Sequence, residues 1–255
     1  MNITTLGAHN CESQDTKLTS ILIDGLMVID AGAVTSSLSF ADQRKLKAVL
    51  LTHQHYDHIK DIPTLAFNFA MAWTTLNIYS TLAVYEALNL IFGNKIYPNF
   101  LEFPQDNPAI KFNLLEPYAA AQIEGYDVLP LPVNHSASTV GYQVTSPDNK
   151  TVFYTGDTGP GLQDVWERIS PQLLITEVSA PNRFESIYKG RGHFTPNLLQ
   201  QELTGFRELK GYLPQVVVVH MNPELEGEIR AELATVAQTL GNTITPAHEG
   251  MQITL

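Results

Sequence analysis

Short apolar runs recur along this chain, each closed by a glycine, a proline or a polar residue. Between them lie stretches whose apolar positions fall three and four apart. The first pattern predicts strands and the second helices. Runs at residues 3–6, 18–23, 26–29, 48–51, 77–80 and 110–115 read as strands of a first half. Asp24 and Gly25 separate the second run from the third. That pair tolerates the positive φ of a tight turn, so a hairpin is expected there. A second series follows at 126–133, 140–145, 151–154, 173–178 and 216–219, with Pro147, Asp148 and Asn149 as a turn. Residues 48–51 and 216–219 contain no polar position, as in strands buried on both faces.

Helices are expected around 37–46, from 61 or 62 with Pro63 in the first turn, and from a Thr81 cap to about 92. Others are expected near 162–169, after a Thr195 cap with Pro196 first, and from Asn222 and Pro223 to a stop at Gly241. Residues 93–125 are rich in proline and asparagine and read as a covering insertion over the site, within a single domain spanning 1–255. Two closing strands frame Ala247, His248, Glu249 and Gly250. Two strand-rich halves with helices between suggest two sheets face to face with helices outside. The pattern alone leaves the class at α/β or α+β.

Composition narrows the function more than the fold. A hydrophobic fraction of 44% and a charged fraction of 16% are those of an ordinary soluble globular protein. No run reaches the apolar length that crosses a bilayer, so no membrane role is expected. The first residues lack the basic start and apolar core of a signal peptide. The lone Cys11 forms no internal disulfide, and together these point to the cytoplasm. The net charge is −11. An acidic surface repels a nucleic acid backbone, and the run Arg44, Lys45, Leu46, Lys47 reads as the solvated end of a helix. Nucleic acid is therefore not an expected partner.

Directly after the apolar run 48–51 come His53, His55, Asp57 and His58. Imidazole nitrogen and carboxylate oxygen are both good donors to a borderline divalent cation. On an extended backbone His53 and His55 point the same way. Asp57 and His58 lie beyond the strand end and can turn toward a second cation. Further along, His135, Asp157, Glu177 and His220 each follow or close an apolar strand. In α/β folds active-site residues collect at such strand ends.

The spacing His-x-His-x-Asp-His resembles the metal motif of the metallo-β-lactamase superfamily. The resemblance runs from Ile3 to Ile253, and it implies a four-layer αββα sandwich. It also implies a ligand set. His53, His55 and His135 would hold one divalent metal, and Asp57, His58 and His220 the other. Asp157, in Gly156-Asp157-Thr158, would bridge the two. The metals would be zinc, with manganese or iron as alternatives that the same ligands serve. A hydroxide between metals about 3.5–4 Å apart would be the nucleophile. Asp57 is counted with the catalytic residues as well as with the ligands. His193, in Gly192-His193-Phe194-Thr195, resembles the Gly-His-Ser-Thr segment of ribonuclease Z and would protonate the leaving group. Glu177 resembles the acid of the His-Glu-Ala-Thr segment and would orient His193. His248 is the rival for the last metal position and is expected to pack or line the pocket. His9 is expected at the surface.

The segments around His135, Asp157 and His193 are similar to the phosphodiesterase side of the superfamily. That side includes class II 3′,5′-cyclic-nucleotide phosphodiesterases and ribonuclease Z. The stretch 91–100 resembles the Phe-Asn-x-x-Ile-Trp-Pro-Asn segment of the class II enzymes, with Gly93 before the Asn and Tyr97 for Trp. Tyr56 also stands where that class has Leu. Tyr97 or Phe100 would then stack on a base. The expectation is a hydrolase of small phosphodiesters, with a homodimer as in relatives. The alternatives are a ribonuclease Z-like RNA phosphodiesterase and a metal-bearing binding or sensing protein without turnover. Ribonuclease Z carries a basic, glycine-rich arm that this chain lacks. The oxygen-reducing diiron branch has Glu where this chain has His55, and a β-lactamase would be exported.

Overall fold

The structure, a computed structural model, describes residues 1–96 and 98–255. Tyr97, expected as a stacking aromatic, lies outside the described residues. The first sheet contains β1 (Asn2–Gly7), β2 (Ser20–Ile23), β3 (Met27–Ile29), β4 (Ala48–Leu50), β5 (Leu76–Ser80), β6 (Ile110–Leu114) and β14 (Gln252–Thr254). The second contains β7 (Ala121–Ile123), β8 (Tyr126–Pro132), β9 (Val140–Thr145), β10 (Thr151–Tyr154), β11 (Leu173–Glu177), β12 (Gln215–Val219) and β13 (Ile244–Pro246). The strand orders are β14-β1-β2-β3-β4-β5-β6 and β13-β12-β11-β10-β9-β8-β7. In each sheet one half is antiparallel and the other parallel: β3 to β6 in the first, β10 to β13 in the second.

Three apolar cores define four layers. Ala48 and Leu50 of β4 join Val217 and Val219 of β12 in the core between the sheets. Val49 and Leu51 point the other way, onto the core beneath α4 (Ile62–Met71) and α5 (Leu82–Gly93). Val216 and Val218 pack under α6 (Gln163–Arg168), α8 (Pro196–Lys210) and α9 (Glu226–Leu240). The period-2 alternation of a strand sends its side chains to both faces, and both faces are covered, which is why these runs carry no polar residue. The result is the expected αββα sandwich. No helix among the described residues is long and apolar enough to cross a membrane.

Asp24 (φ 49°) and Gly25 (φ 70°) make the β2–β3 hairpin turn, with both central residues at positive φ. The expected helix at 37–46 is instead two single turns, α1 (Val34–Ser37) and α2 (Phe40–Gln43). Leu38 between them is extended, and the Ser39 hydroxyl accepts from Asp42 N–H to start the second turn. Thr81 and Thr195 stand at helix starts as expected, but neither side chain caps. The last helix begins at Glu226 because Asn222 first forms a turn with Glu224 N–H, and it ends on left-handed Gly241 as expected.

The described residues of the stretch 93–125 include two strands. These are an edge strand of each sheet, β6 and β7. Ala109 accepts from Leu76 N–H at the start of β5, the end of that strand remote from the histidine cluster. Phe100 is 1% exposed and packs between Phe67 and Phe92, so it cannot stack on a base.

Candidate metal centre

The parallel strands of both sheets run toward one edge of the sandwich, and their ends carry the histidines and aspartates. His53 and His55 follow β4, and the single turn α3 (Tyr56–Ile59) carries Asp57 and His58. His135 follows β8, Asp157 follows β10 through Gly156, and His220 follows β12. Gly156 is left-handed (φ 62°), and a Cβ there would lie 2.9 Å from the Thr52 side chain, so only glycine lets the two loops meet. Two further bonds tie the sheets together at this edge. Val140 N–H donates to Thr52 O at 3.1 Å, and the Tyr142 hydroxyl donates to Leu51 O at 2.7 Å.

The structure brings together all seven residues expected as ligands. One donor atom each from His53, His55, His135 and Asp157 falls within a 4.8 Å cluster, and so does one each from Asp57, His58, Asp157 and His220. Asp157 belongs to both. Its Oδ2 lies 3.8 Å from His53 Nε2 and 3.9 Å from His135 Nε2. Its Oδ1 lies 3.2 Å from His58 Nε2 and 3.4 Å from His220 Nε2. His55 Nδ1 faces His135 Nε2 at 3.2 Å, and Asp57 Oδ2 lies 3.2 Å from His220 Nε2. His53 Nε2, His58 Nε2 and Asp157 Oδ1 are buried and make no hydrogen bond. Buried polar atoms are seldom left so, and unpaired atoms of this kind facing one another fit a cation.

The outward Nδ1 nitrogens of four of the five imidazoles are held. His53 Nδ1 meets the Thr52 hydroxyl at 3.0 Å, His135 Nδ1 meets Gly192 O at 2.9 Å, and His220 Nδ1 meets the Ser179 hydroxyl at 2.9 Å. His58 Nδ1 meets Asp30 Oδ2 at 2.7 Å. With protons on these Nδ1 atoms, the Nε2 lone pairs point inward, as a metal site requires. Gly192 (φ 75°) is pressed on His135: a Cβ there would lie 2.7 Å from the His135 Cα. His220 itself is left-handed (φ 61°), an uncommon backbone for a residue that is not glycine.

Asp30 was not singled out by its sequence position, yet it organises this side of the site. It is fully buried and accepts from Thr52 N–H, the Thr52 hydroxyl, His58 Nδ1 and the Tyr154 hydroxyl. The available signal was an aspartate directly after a strand that pairs with the strand of the histidine motif.

The electrostatics follow from crowding. Burial and then the neighbouring His58 push His53 well below the ordinary imidazole range. Burial acts to lower His58 too, but Asp157 and Asp30 hold it well above that range. Asp57 and Asp157 are both held down by the surrounding histidines despite their burial.

Beside the cluster, His193 Nδ1 lies 2.6 Å from Glu177 Oε1, and its ring stacks on His220 with centroids 5.7 Å apart. Glu177 is buried and also accepts from Thr158 N–H and the Ser179 hydroxyl. Through Ser179 it therefore reaches His220 as well. Burial acts to lower His193, but the Glu177 carboxylate outweighs it and raises the group to about 9. The other two histidines depart from expectation. His248 is exposed, its Nδ1 meets its neighbour's carbonyl, Glu249 O, and it belongs to neither donor cluster. His9 is 3% exposed, not at the surface, because Glu249 and Glu226 take its two nitrogens.

A profile of the beta-lactamase superfamily domain matches residues 19–221. A 3′,5′-cyclic-nucleotide phosphodiesterase of Aliivibrio fischeri is 24% identical over 248 residues, covering 78% of this chain and 73% of that protein. A protein of Yersinia pestis named as a probable 3′,5′-cyclic-nucleotide phosphodiesterase is 24% identical over 210 residues. That match covers 72% of this chain but 59% of the relative, so the chain spans less than two thirds of its length. Among solved structures, unliganded yeast PDE1 shares the fold with a TM-score of 0.86, over 100% of this chain and 99% of that one, at 16% identity. With a family match over most of its length and this sandwich fold, the chain belongs to the beta-lactamase superfamily, as a hydrolase of that family.

Proposed function

We propose that this chain is a dinuclear metal-dependent phosphodiesterase acting on small phosphodiesters, with 3′,5′-cyclic nucleotides first among them. The observation that carries the reading is Asp157: one carboxylate oxygen faces each of two donor groups. In this reading His53, His55 and His135 would hold one divalent ion and Asp57, His58 and His220 the other, with Asp157 available to both. Zinc, manganese and iron all suit the donors. When bound, such a pair supplies a nucleophile at neutral pH and neutralises phosphate charge.

The chain's own residues do the rest. Asp30, Thr52, Ser179 and Gly192 O fix the inward tautomers. Glu177 holds His193 by Nδ1, which leaves the Nε2 edge to meet the substrate and protonate the departing 3′ oxygen. The relatives named cyclic-nucleotide phosphodiesterases support the substrate class. The net charge of −11 supports a small substrate over RNA. A cytoplasmic location and self-association go with the reading. The outer face of α4 and α5 supports the latter: Glu86 is the single charge between Ile62 and Gly93, while Met71 and Leu90 are exposed there.

The test is hydrolysis of bis-p-nitrophenyl phosphate and a cyclic-nucleotide panel, with metal analysis of the purified protein. Asp157→Ala should abolish turnover and lower the metal content. His193→Ala should cut turnover by about 10²–10⁴-fold, the usual range for a general acid, and leave metal content intact. No turnover under zinc, manganese or iron would instead support a metal-bearing binding protein.

A further inference from the structure

His9 plays no part in the chemistry above, yet both of its ring nitrogens are held by carboxylates. It lies just past β1, 3% exposed, with Nδ1 2.7 Å from Glu249 Oε1 and Nε2 3.3 Å from Glu226 Oε2. Both carboxylates are themselves anchored. Lys17 N–H donates to Glu249 Oε1 at 2.9 Å, and Arg230 Nε donates to Glu226 Oε1 at 2.7 Å. Arg230 also reaches Ala247 O at 3.0 Å. One imidazole thus joins the segment after β1, the start of α9 and the turn before β14.

The backbone around His9 leads to the candidate centre. Asn10 N–H donates to Met221 O at 3.2 Å, and Met221 N–H donates to Ala8 O at 3.3 Å. His9 is bridged in parallel to Met221, the residue next to His220. His220 holds a left-handed backbone (φ 61°). A residue other than glycine keeps such a conformation only where its surroundings over-determine it. Val219 and Ser179 restrain His220 from within the second sheet, through Val178 N–H to Val219 O and His220 Nδ1 to Ser179. The restraint on its outer side is the segment that His9 clamps.

We propose that His9 is a positioning residue for His220: its clamp between Glu226 and Glu249 sets the Nε2 of His220 for the second metal. The inference rests on the two-metal reading above. It separates the two metals, because none of the His53, His55, His135 group is bridged to the clamped segment.

The test is a titration of the metal-free protein with divalent cobalt, followed by absorbance, on wild type, His9→Ala, His220→Ala and the double variant. Thermal unfolding is measured in parallel. In His9→Ala the second equivalent should bind about tenfold more weakly, the lower end of the usual effect of an outer-shell partner. The first equivalent should be unchanged. In the His220→Ala background the same substitution should have no further effect on cobalt binding. A lowered unfolding temperature with both affinities unchanged would show a purely structural clamp and overturn the inference. Equal weakening of both equivalents would also overturn it. Should His9→Ala fail to fold, Glu226→Gln, which keeps the Glu249 side, decides by the same split. A wild type that takes up no second equivalent would refute the two-metal reading itself. A wild type that takes two, with the variants unchanged, refutes only the role of His9.

Discussion

Asp30 offers the sharpest test of how the site is held. Its Oδ1 accepts from Thr52 N–H at 2.8 Å. Its Oδ2 accepts from the Thr52 hydroxyl at 2.9 Å, His58 Nδ1 at 2.7 Å and the Tyr154 hydroxyl at 3.1 Å. Asp30→Ala leaves the Thr52 amide and the Tyr154 hydroxyl buried without an acceptor, at about 1–3 kcal/mol each. It also removes a charged acceptor from His58. Together these should cost about 3–5 kcal/mol, as for breaking a buried ionic pair. At about 2–4 °C per kcal/mol for a chain of this size, the unfolding temperature should fall by about 6–20 °C. Asp30→Asn separates stability from site geometry. Its oxygen can keep the Thr52 amide, while its NH₂ replaces Oδ2 and donates to His58 Nδ1. That turns the His58 tautomer over and puts the proton on Nε2, where the metal should bind. The Asn variant should lose about 1–2 kcal/mol, as for one or two ordinary hydrogen bonds, but about 10–100-fold in metal affinity. Urea unfolding in the presence of a chelator gives the first number without linkage to bound metal, and a metal titration gives the second. Wild-type metal affinity in Asp30→Asn, or an unshifted urea midpoint in Asp30→Ala, would refute the argument.

Gly192→Ala should destabilise the protein by about 1–3 kcal/mol through its left-handed backbone, and it should displace His135 and weaken one metal selectively; an unaltered metal titration would contradict this. Tyr142→Phe removes the buried bond to Leu51 O and should cost about 1 kcal/mol, seen as a drop of about 2–4 °C in calorimetry. The metal-free protein should show a pH window of its own. Burial works against the charge on His9, but Glu249 and then Glu226 raise it above 6.5, so its contribution is full below 6.5 and is lost as pH rises through the raised value. Glu249 is drawn from 4.5 to about 2 by His9 and Lys17 despite its burial, so its contribution is full above 4.5 and is lost as pH falls toward 2. Stability from this pair should therefore be greatest between about pH 4.5 and 6.5. Glu249→Gln should flatten the profile there, and an unchanged profile in urea titrations across pH would tell against the pair.

The fold was legible where side-chain period and burial agree. Residues 48–51 and 216–219 are apolar throughout because each strand is covered on both faces, and that is visible without coordinates. β7 was not legible: Ala121–Ile123 is a three-residue edge strand with one buried side chain, too short for a period. The helix expected at 37–46 failed because Ser39, compatible with a helix interior by spacing, acts as a cap. The early histidine cluster announces itself because its members are neighbours in the chain. The others were placed by their positions at strand ends and by the family resemblance, and the structure brings them to the same edge. His9 was misread because its partners, Glu226 and Glu249, lie at the far end of the chain, and nothing local marks it as buried. Asp30 was missed for the same reason: its partners Thr52, His58 and Tyr154 all lie 22 or more residues away.

The two donor groups draw on both sheets, but they close at different points of the chain. One is complete once Asp157 has been made; the other waits for His220. Both groups nevertheless depend on the last strands, because Val217, Val219 and Ile253 complete the core between the sheets that carry them. Shortening the chain from its C-terminal side should therefore disturb the earlier group as well as the later one.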